Sequence, residues 1–278
     1  AANRNYKDPN HKPELVFALT PYQAMNGFRA IPAILALFER VKLATIADLV
    51  AALAANQNEA GLQHFFHQLL ILTGPRKEDA LAGLLAYAAA HQDEETFALV
   101  TSLAAQYPGD VGLFSPLLLN VVTLQPGQAM YLDACTPHAY VRGTGLEIMA
   151  NSDNVLRGGL TPKHVDVPEL LRVLDFTPTD GRPIHPRPAD DGVEEVFDTP
   201  APEFAVTILR IDDDRVGSVV EVPQGHAGPQ ILLGTHGRVQ VHSAGGELTL
   251  KKGAAAWIAA GEGPVRLVAE EPSTVFRA

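Results

Sequence analysis

Three strings of the sequence gather side chains able to hold a metal, move a proton or bind an anion. The first, Asp8-Pro9-Asn10-His11-Lys12-Pro13-Glu14, crowds an imidazole, an ammonium and a carboxylate beside two prolines that stiffen the backbone. Histidine and glutamate are ordinary ligands of a divalent cation, and an adjacent lysine can bind an anionic substrate or carry a proton. The second string is Pro137-His138-Ala139-Tyr140, with Glu147 downstream. On a strand, residues 138 and 140 share a face, so an imidazole and a phenol would line a barrel interior, where an unpaired imidazole is costly unless something binds it. The third runs from Asn151 through Asp153 and Arg157-Gly158-Gly159 to Lys163. Its two cations, in an otherwise acidic chain, invite an anion such as a sugar phosphate. Taken singly, each string has a plainer reading: a solvated terminus, a satisfied core histidine, and a turn closed by an Asp153–Arg157 pair.

The elements that must position these strings follow in four textures. Residues 1–30 are polar and loop-like, turning apolar at Leu15 to Leu19 and broken at Pro21. From Ile31 to about Gln106 the chain is rich in Ala, Leu and Gln, with apolar residues at helical spacing, as in Leu49, Ala52, Leu53 and Leu81, Leu84, Leu85. Pro75 opens one helix there, Asp93-Glu94-Glu95 opens the next, and Pro108-Gly109 ends the set. After Pro116 come strand-like runs at 118–124, 129–132 and 146–150. The proline-rich acidic stretch from Pro178 to Pro202 reads as a linker or a surface strap. Beyond it, short alternating runs between Phe204 and Val268 are spaced as in a sandwich or small barrel.

With 21 basic against 32 acidic residues the net charge is −11, which makes nucleic acid and anionic membrane surface poor partners. No apolar run reaches the length of a bilayer span, and no basic-then-apolar leader opens the chain, so a cytoplasmic location is expected. The single cysteine, Cys135, permits no internal disulfide and reads as a small buried apolar residue. Oligomeric state leaves no mark on the sequence.

Together and in this order, Asn5 to Glu14, Gly27-Phe28-Arg29, Pro137 to Tyr140 and Asn151 to Lys163 resemble type I phosphomannose isomerases. The resemblance is strong over residues 1 to about 170 and architectural beyond. It implies a mainly β fold with an inserted α domain: a cupin-like barrel carrying the metal site (1–30 and 113–185), a helical insertion (31–112), and a second cupin-like barrel (186–278). It implies interconversion of mannose 6-phosphate and fructose 6-phosphate through an enediol, with one zinc held by a Gln, two His and a Glu. Glu14 and His138 match two of those ligands. Acid/base and catalytic positions fall on His11, Lys12, Asp153 and Arg157, and substrate-contacting positions on Tyr140, Glu147 and Lys163.

The Gln-x-His pair that family members carry upstream of the Lys-Pro-Glu string does not precede it here. Gln240-Val241-His242 lies on the wrong side of both partners and reads as coincidence in an ordinary strand. The expectation is therefore a further segment at the amino end, and weak zinc binding and no activity from this chain alone. Two other classes compete. One is a degenerate cupin that binds a sugar phosphate without turnover; the other is an iron-dependent oxygenase, which would want a second barrel histidine.

Overall fold

The computed structural model describes residues 5–190, 192–223 and 228–278. The chain divides into two compact units, Ala1–Pro183 and Ile184–Ala278. Among the described residues it is mainly β with a helical lobe, and its strands form open sheets. No helix among them is long and apolar enough to cross a membrane.

In the first unit β1 (Glu14–Ala18) and β2 (Tyr22–Phe28) are buried along their whole length, which corrects the expectation of a polar, loop-like opening through residue 30. Gln23 and Asn26, polar as they are, are both buried within β2. The chain then enters the lobe: α1 (Ile31–Val41), α2 (Ala47–Ala55), α3 (Glu59–Leu70), α4 (Gly74–Ala90), α5 (Glu95–Gln106) and α6 (Ser115–Leu118). Pro75 stands in the first turn of α4, where its missing N–H costs nothing. Apolar residues at helical spacing close a core around Phe38, Phe65, Phe97 and Phe114.

The lobe is inserted between partners. β3 (Leu119–Leu124) returns antiparallel to β2, and β5 (His138–Arg142) flanks β2 on the other side. A second sheet places β1 between β4 (Ala129–Leu132) and β6 (Gly145–Met149). The two sheets share a core of Val16, Ala18, Tyr22, Ala24, Val122, Leu124, Met130 and Leu132. A register shift at Gly27 aims Phe28 into the helical core, where it stacks on Phe176 at 5.1 Å. Gly27 has φ +66°, and a Cβ there would sit 2.2 Å from Thr179 Oγ1, so glycine is required. The unit closes with α7 (Val167–Val173).

In the second unit β7 (Arg187–Pro188) and β8 (Glu194–Val196) fall inside the proline-rich stretch, which is thus partly sheet and not only a strap. They extend a sheet through β9 (Thr207–Ile211), β16 (Ser273–Arg277), β11 (Gln230–His236) and β14 (Ala255–Ile258). The facing sheet is β10 (Val219–Glu221), β15 (Arg266–Ala269), β12 (Arg238–Ser243) and β13 (Gly246–Lys251). Leu209, Leu232 and Val275 from one sheet meet Val239, Leu250 and Leu267 from the other, which makes a sandwich.

Candidate active site

Along β1 the period of two sends Glu14, Val16 and Ala18 to the same face, toward the core between the two sheets. The apolar row therefore ends in a carboxylate that is only 5% exposed. Such a group must be compensated. Lys12 Nζ lies 3.0 Å from Glu14 Oε1, the Tyr140 hydroxyl 3.0 Å from Oε2, and His138 Nε2 3.6 Å from the same Oε2. Glu147 joins from β6, where it stands opposite Val16, two residues along β1 from Glu14, with its Oε1 2.7 Å from the Tyr140 hydroxyl. One sheet thus contributes Glu14 and Glu147, and the other His138 and Tyr140.

The electrostatics follow from this crowding. Burial alone would raise the Glu14 carboxyl, but the neighbouring His138, Glu147 and Lys12 hold it well below the usual carboxylate range. Glu147 is pushed up, by burial and by the Glu14 charge. Tyr140 has one proton for two carboxylates, so both contacts are hydrogen bonds only when Glu147 is protonated. Burial and the two carboxylates raise the Tyr140 phenol. Behind it Tyr22 packs edge-on at 5.8 Å, its own phenol pushed up to about 12 by burial and by Glu147.

His138 Nδ1 lies 2.8 Å from the Thr136 carbonyl oxygen, so Nδ1 carries the donating proton and the lone pair of the neutral ring is on Nε2, facing Glu14. Burial would lower this imidazole, yet Glu14 and the Thr136 carbonyl outweigh it and raise its pKa. Two acceptors face each other across 3.6 Å, and a proton or a cation reconciles them. An anionic oxygen and a correctly tautomerised nitrogen suit zinc and make half of a four-ligand set. Among the described residues no group of three or more His, Cys, Asp and Glu forms a complete one.

The loop after β6 is clipped to the segment ahead of β1. The Asp8 carboxylate accepts from the Asn10 amide at 2.9 Å, the Ser152 hydroxyl at 2.9 Å and the Asp153 amide at 2.9 Å. Asn154 returns the arrangement, its side chain accepting from the Lys7 amide at 2.8 Å and donating to the Asp8 and Asn10 carbonyls at 3.0 and 2.9 Å. Amide and neighbouring groups hold the Asp8 carboxyl below its ordinary range. Sequence reasoning missed Asp8, Asn154, Tyr22 and Thr136 as parts of the site. The Asp-Pro-Asn turn was a legible signal for Asp8 alone, because an Asp accepting from the amide two residues on is a local habit.

Of the residues singled out in the sequence, the fold brings Lys12, Glu14, His138, Tyr140 and Glu147 into one cluster. His11 is exposed. Asp153 lies 3.8 Å from Lys7 and does not close a turn with Arg157. The Arg157 and Lys163 side chains make no hydrogen bond or ion pair among the described residues. Gln240 and His242 are engaged within their sheet, by Thr249 and Glu270 and by Glu247 at 3.0 Å. Cys135 is exposed rather than buried, in a left-handed conformation with φ +70°. Burial of its sulfur and the charges of Asp133 and Asp175 still raise its thiol pKa.

Fold and site together define a mainly β protein with a helical lobe inserted between paired strands and a carboxylate–imidazole–phenol cluster between two sheets. Residues 1–31 match the catalytic domain of type I phosphomannose isomerases, and residues 39–119 match their helical insertion domain. The mannose-6-phosphate isomerase of Salmonella typhimurium is 44% identical over 95% of this chain and 66% of its own length, so the chain spans about two thirds of that relative. The Rattus norvegicus mannose-6-phosphate isomerase is 35% identical over the whole chain and 70% of its own length. A zinc-bound crystal structure of mannose 6-phosphate isomerase superposes with a TM-score of 0.89 at 42% identity, covering 100% of this chain and 68% of the other. The Salmonella typhimurium enzyme bound to its substrate, fructose 6-phosphate, and to zinc matches with the same score, identity and coverage. The chain belongs to the type I phosphomannose isomerase family.

Proposed function

We propose that the protein containing this chain is a zinc-dependent mannose-6-phosphate isomerase, moving a proton between C1 and C2 of the hexose phosphate through an enediol. The observation that carries the reading is the meeting of Glu14 and His138, separated in sequence by the whole helical lobe, in the correct tautomer for a shared cation. Glu14 and His138 would hold the zinc. When bound, the metal supplies Lewis-acid polarisation of a sugar oxygen. Glu14 as a single anionic ligand leaves the site net positive, as an electron-rich transition state requires. Lys12 and Tyr140 bracket Glu14 and fix its orientation.

Arg157 and Lys163, whose charges no described residue neutralises, bind the sugar oxygens and the phosphate, and the fork of Arg157 fixes the reacting carbons. Tyr140 and Glu147 contact substrate, while His11, Lys12 and Asp153 are the remaining candidates for proton transfer. The architecture behind this is a cupin-like pair: a metal-site barrel from 1–30 and 113–185, interrupted by the lobe at 31–112, and a second barrel over 186–278. An exposed lone thiol suits a reducing compartment, so the reaction belongs in the cytoplasm.

The test is metal analysis and a coupled isomerase assay on the full-length protein. It should carry one zinc per chain and interconvert the two hexose phosphates, and Glu14→Gln should lose both metal and turnover. A zinc-replete protein that binds fructose 6-phosphate without converting it would replace this reading with the binding-only one. Retention of metal and turnover by Glu14→Gln would remove Glu14 from the site.

A further inference from the structure

The loop carrying Arg157 is fastened to the helical lobe immediately after the arginine. Asp110, which caps the 3-10 turn Val111–Phe114, accepts with Oδ1 from the Gly112 amide at 2.6 Å and from the Leu160 amide at 3.1 Å. The two backbones touch there. A Cβ on Gly112 would sit 2.7 Å from the Leu160 nitrogen, and one on Gly159 (φ +120°) would sit 2.9 Å from the Gly112 Cα. Leu160 itself is left-handed, φ +52°, a conformation that a leucine adopts only when its surroundings dictate it. Leu156 and Leu160, on either side of Arg157, both pack against the core of the lobe. The Gly158 backbone lies over Leu170 and Phe66.

We infer that Asp110 is a positioning residue for the sugar-phosphate site: through the Leu160 amide and the Gly112–Gly159 backbone contact, the helical lobe sets where the Arg157 guanidinium stands. The inference rests on Arg157 binding substrate, as proposed above. It gives the lobe a part in the site and explains the glycine at 159, where the loop must let the Gly112 backbone approach. Asp8 and Asn154 clip the same loop at its other end, so Arg157 lies between two anchors.

The test uses the full-length, zinc-loaded protein. Asp110→Ala should lower kcat/KM by about ten- to a hundredfold, the cost of displacing a positioning group by about an ångström. Asp110→Asn, which keeps the accepting oxygen, should return to within about threefold of the parent. Gly112→Ala, which pushes on Leu160 without touching the carboxylate, should reproduce the loss. In an Arg157→Ala background Asp110→Ala should cost less than about threefold more, because coupled residues are not additive. The same factor in both backgrounds would overturn the inference. Zinc content should stay unchanged, and hydrogen exchange at the Leu160 amide should quicken in Asp110→Ala and not in Asp110→Asn; unaltered exchange in Asp110→Ala would also overturn it. Should the parent bind fructose 6-phosphate without turnover, the isomerase reading fails alone, and calorimetric affinity then takes the place of kcat/KM in the same cycle.

Discussion

Arg277 and Glu194 form an ion pair inside the second unit, with side chains 5% and 2% exposed. Arg277 Nε lies 2.7 Å from Glu194 Oε1, a second nitrogen bonds Oε2, and Nη1 reaches Gln230 Oε1 at 3.2 Å. Thr207 donates to Glu194 at 3.0 Å. The pair ties β8 to β16, two strands separated in the sheet by β9. Arg277→Met keeps most of the side-chain volume and strands the carboxylate in the interior, which should cost about 3–5 kcal/mol. That is a large share of the roughly 5–15 kcal/mol that holds a domain folded. With a urea dependence of about 2 kcal/mol per molar, the midpoint should fall by about 1.5–2.5 M.

Replacing both partners by methionine removes the stranded charge. The double variant should stay within about 2 kcal/mol of the parent, since the partners left at Thr207, Gln230 and the Pro223 carbonyl are neutral. Hydrogen exchange at the β9 and β16 amides through a urea titration follows this unit. A midpoint shift below about 0.3 M for Arg277→Met, or a double variant as unstable as the single, would refute the argument that the charge is desolvated.

Three further outcomes follow from the first unit. Arg172 and Tyr6 hold the Glu169 carboxyl at about 2 in the folded chain, below its ordinary 4.5. A depressed carboxyl stabilises above its unfolded value and loses that contribution as the pH falls through the folded one. Protection of the residue 5–10 amides, with the intrinsic pH dependence of exchange divided out, should therefore fall between about pH 4.5 and 2, and constant protection across that window would contradict the assignment. Asn154→Ala removes the clip on the substrate loop and should cost about 1–2 kcal/mol in urea unfolding, with proteolytic nicking appearing near residues 7–10. Phe28→Ala empties a fully buried ring site between Phe66 and Phe176 and should cost about 3–5 kcal/mol, whereas a cost under about 1 kcal/mol would mean that the lobe and β2 do not share a core.

Much of this protein was legible in one dimension. The helical lobe follows from apolar spacing and from Pro75 in a first turn, because local periodicity and backbone chemistry act over a few residues. Strand β4 is where the short run at 129–132 between turns placed it. The chemistry-bearing strings were visible because their residue types are rare together. Neither local periodicity nor composition could show that β1 and β2 are wholly buried in different sheets, or that the proline-rich stretch adds two strands to a sandwich. Burial of Gln23, Asn26 and Glu14 depends on partners far along the chain, and a window of sequence does not contain them.

The site divides the same way. Residue identity determined that a carboxylate, an imidazole and a phenol were available, and the strand period put His138 and Tyr140 on one face. Tertiary structure decided that Glu14 meets them, that Thr136 selects the imidazole tautomer, that Asp153 turns to Lys7, and that Asp110 from the lobe reaches the Leu160 amide. The physical reason is range. Hydrogen bonds and charge pairs act over a few ångströms of space whatever the sequence separation, so their partners are settled only once the sheets and the lobe have packed.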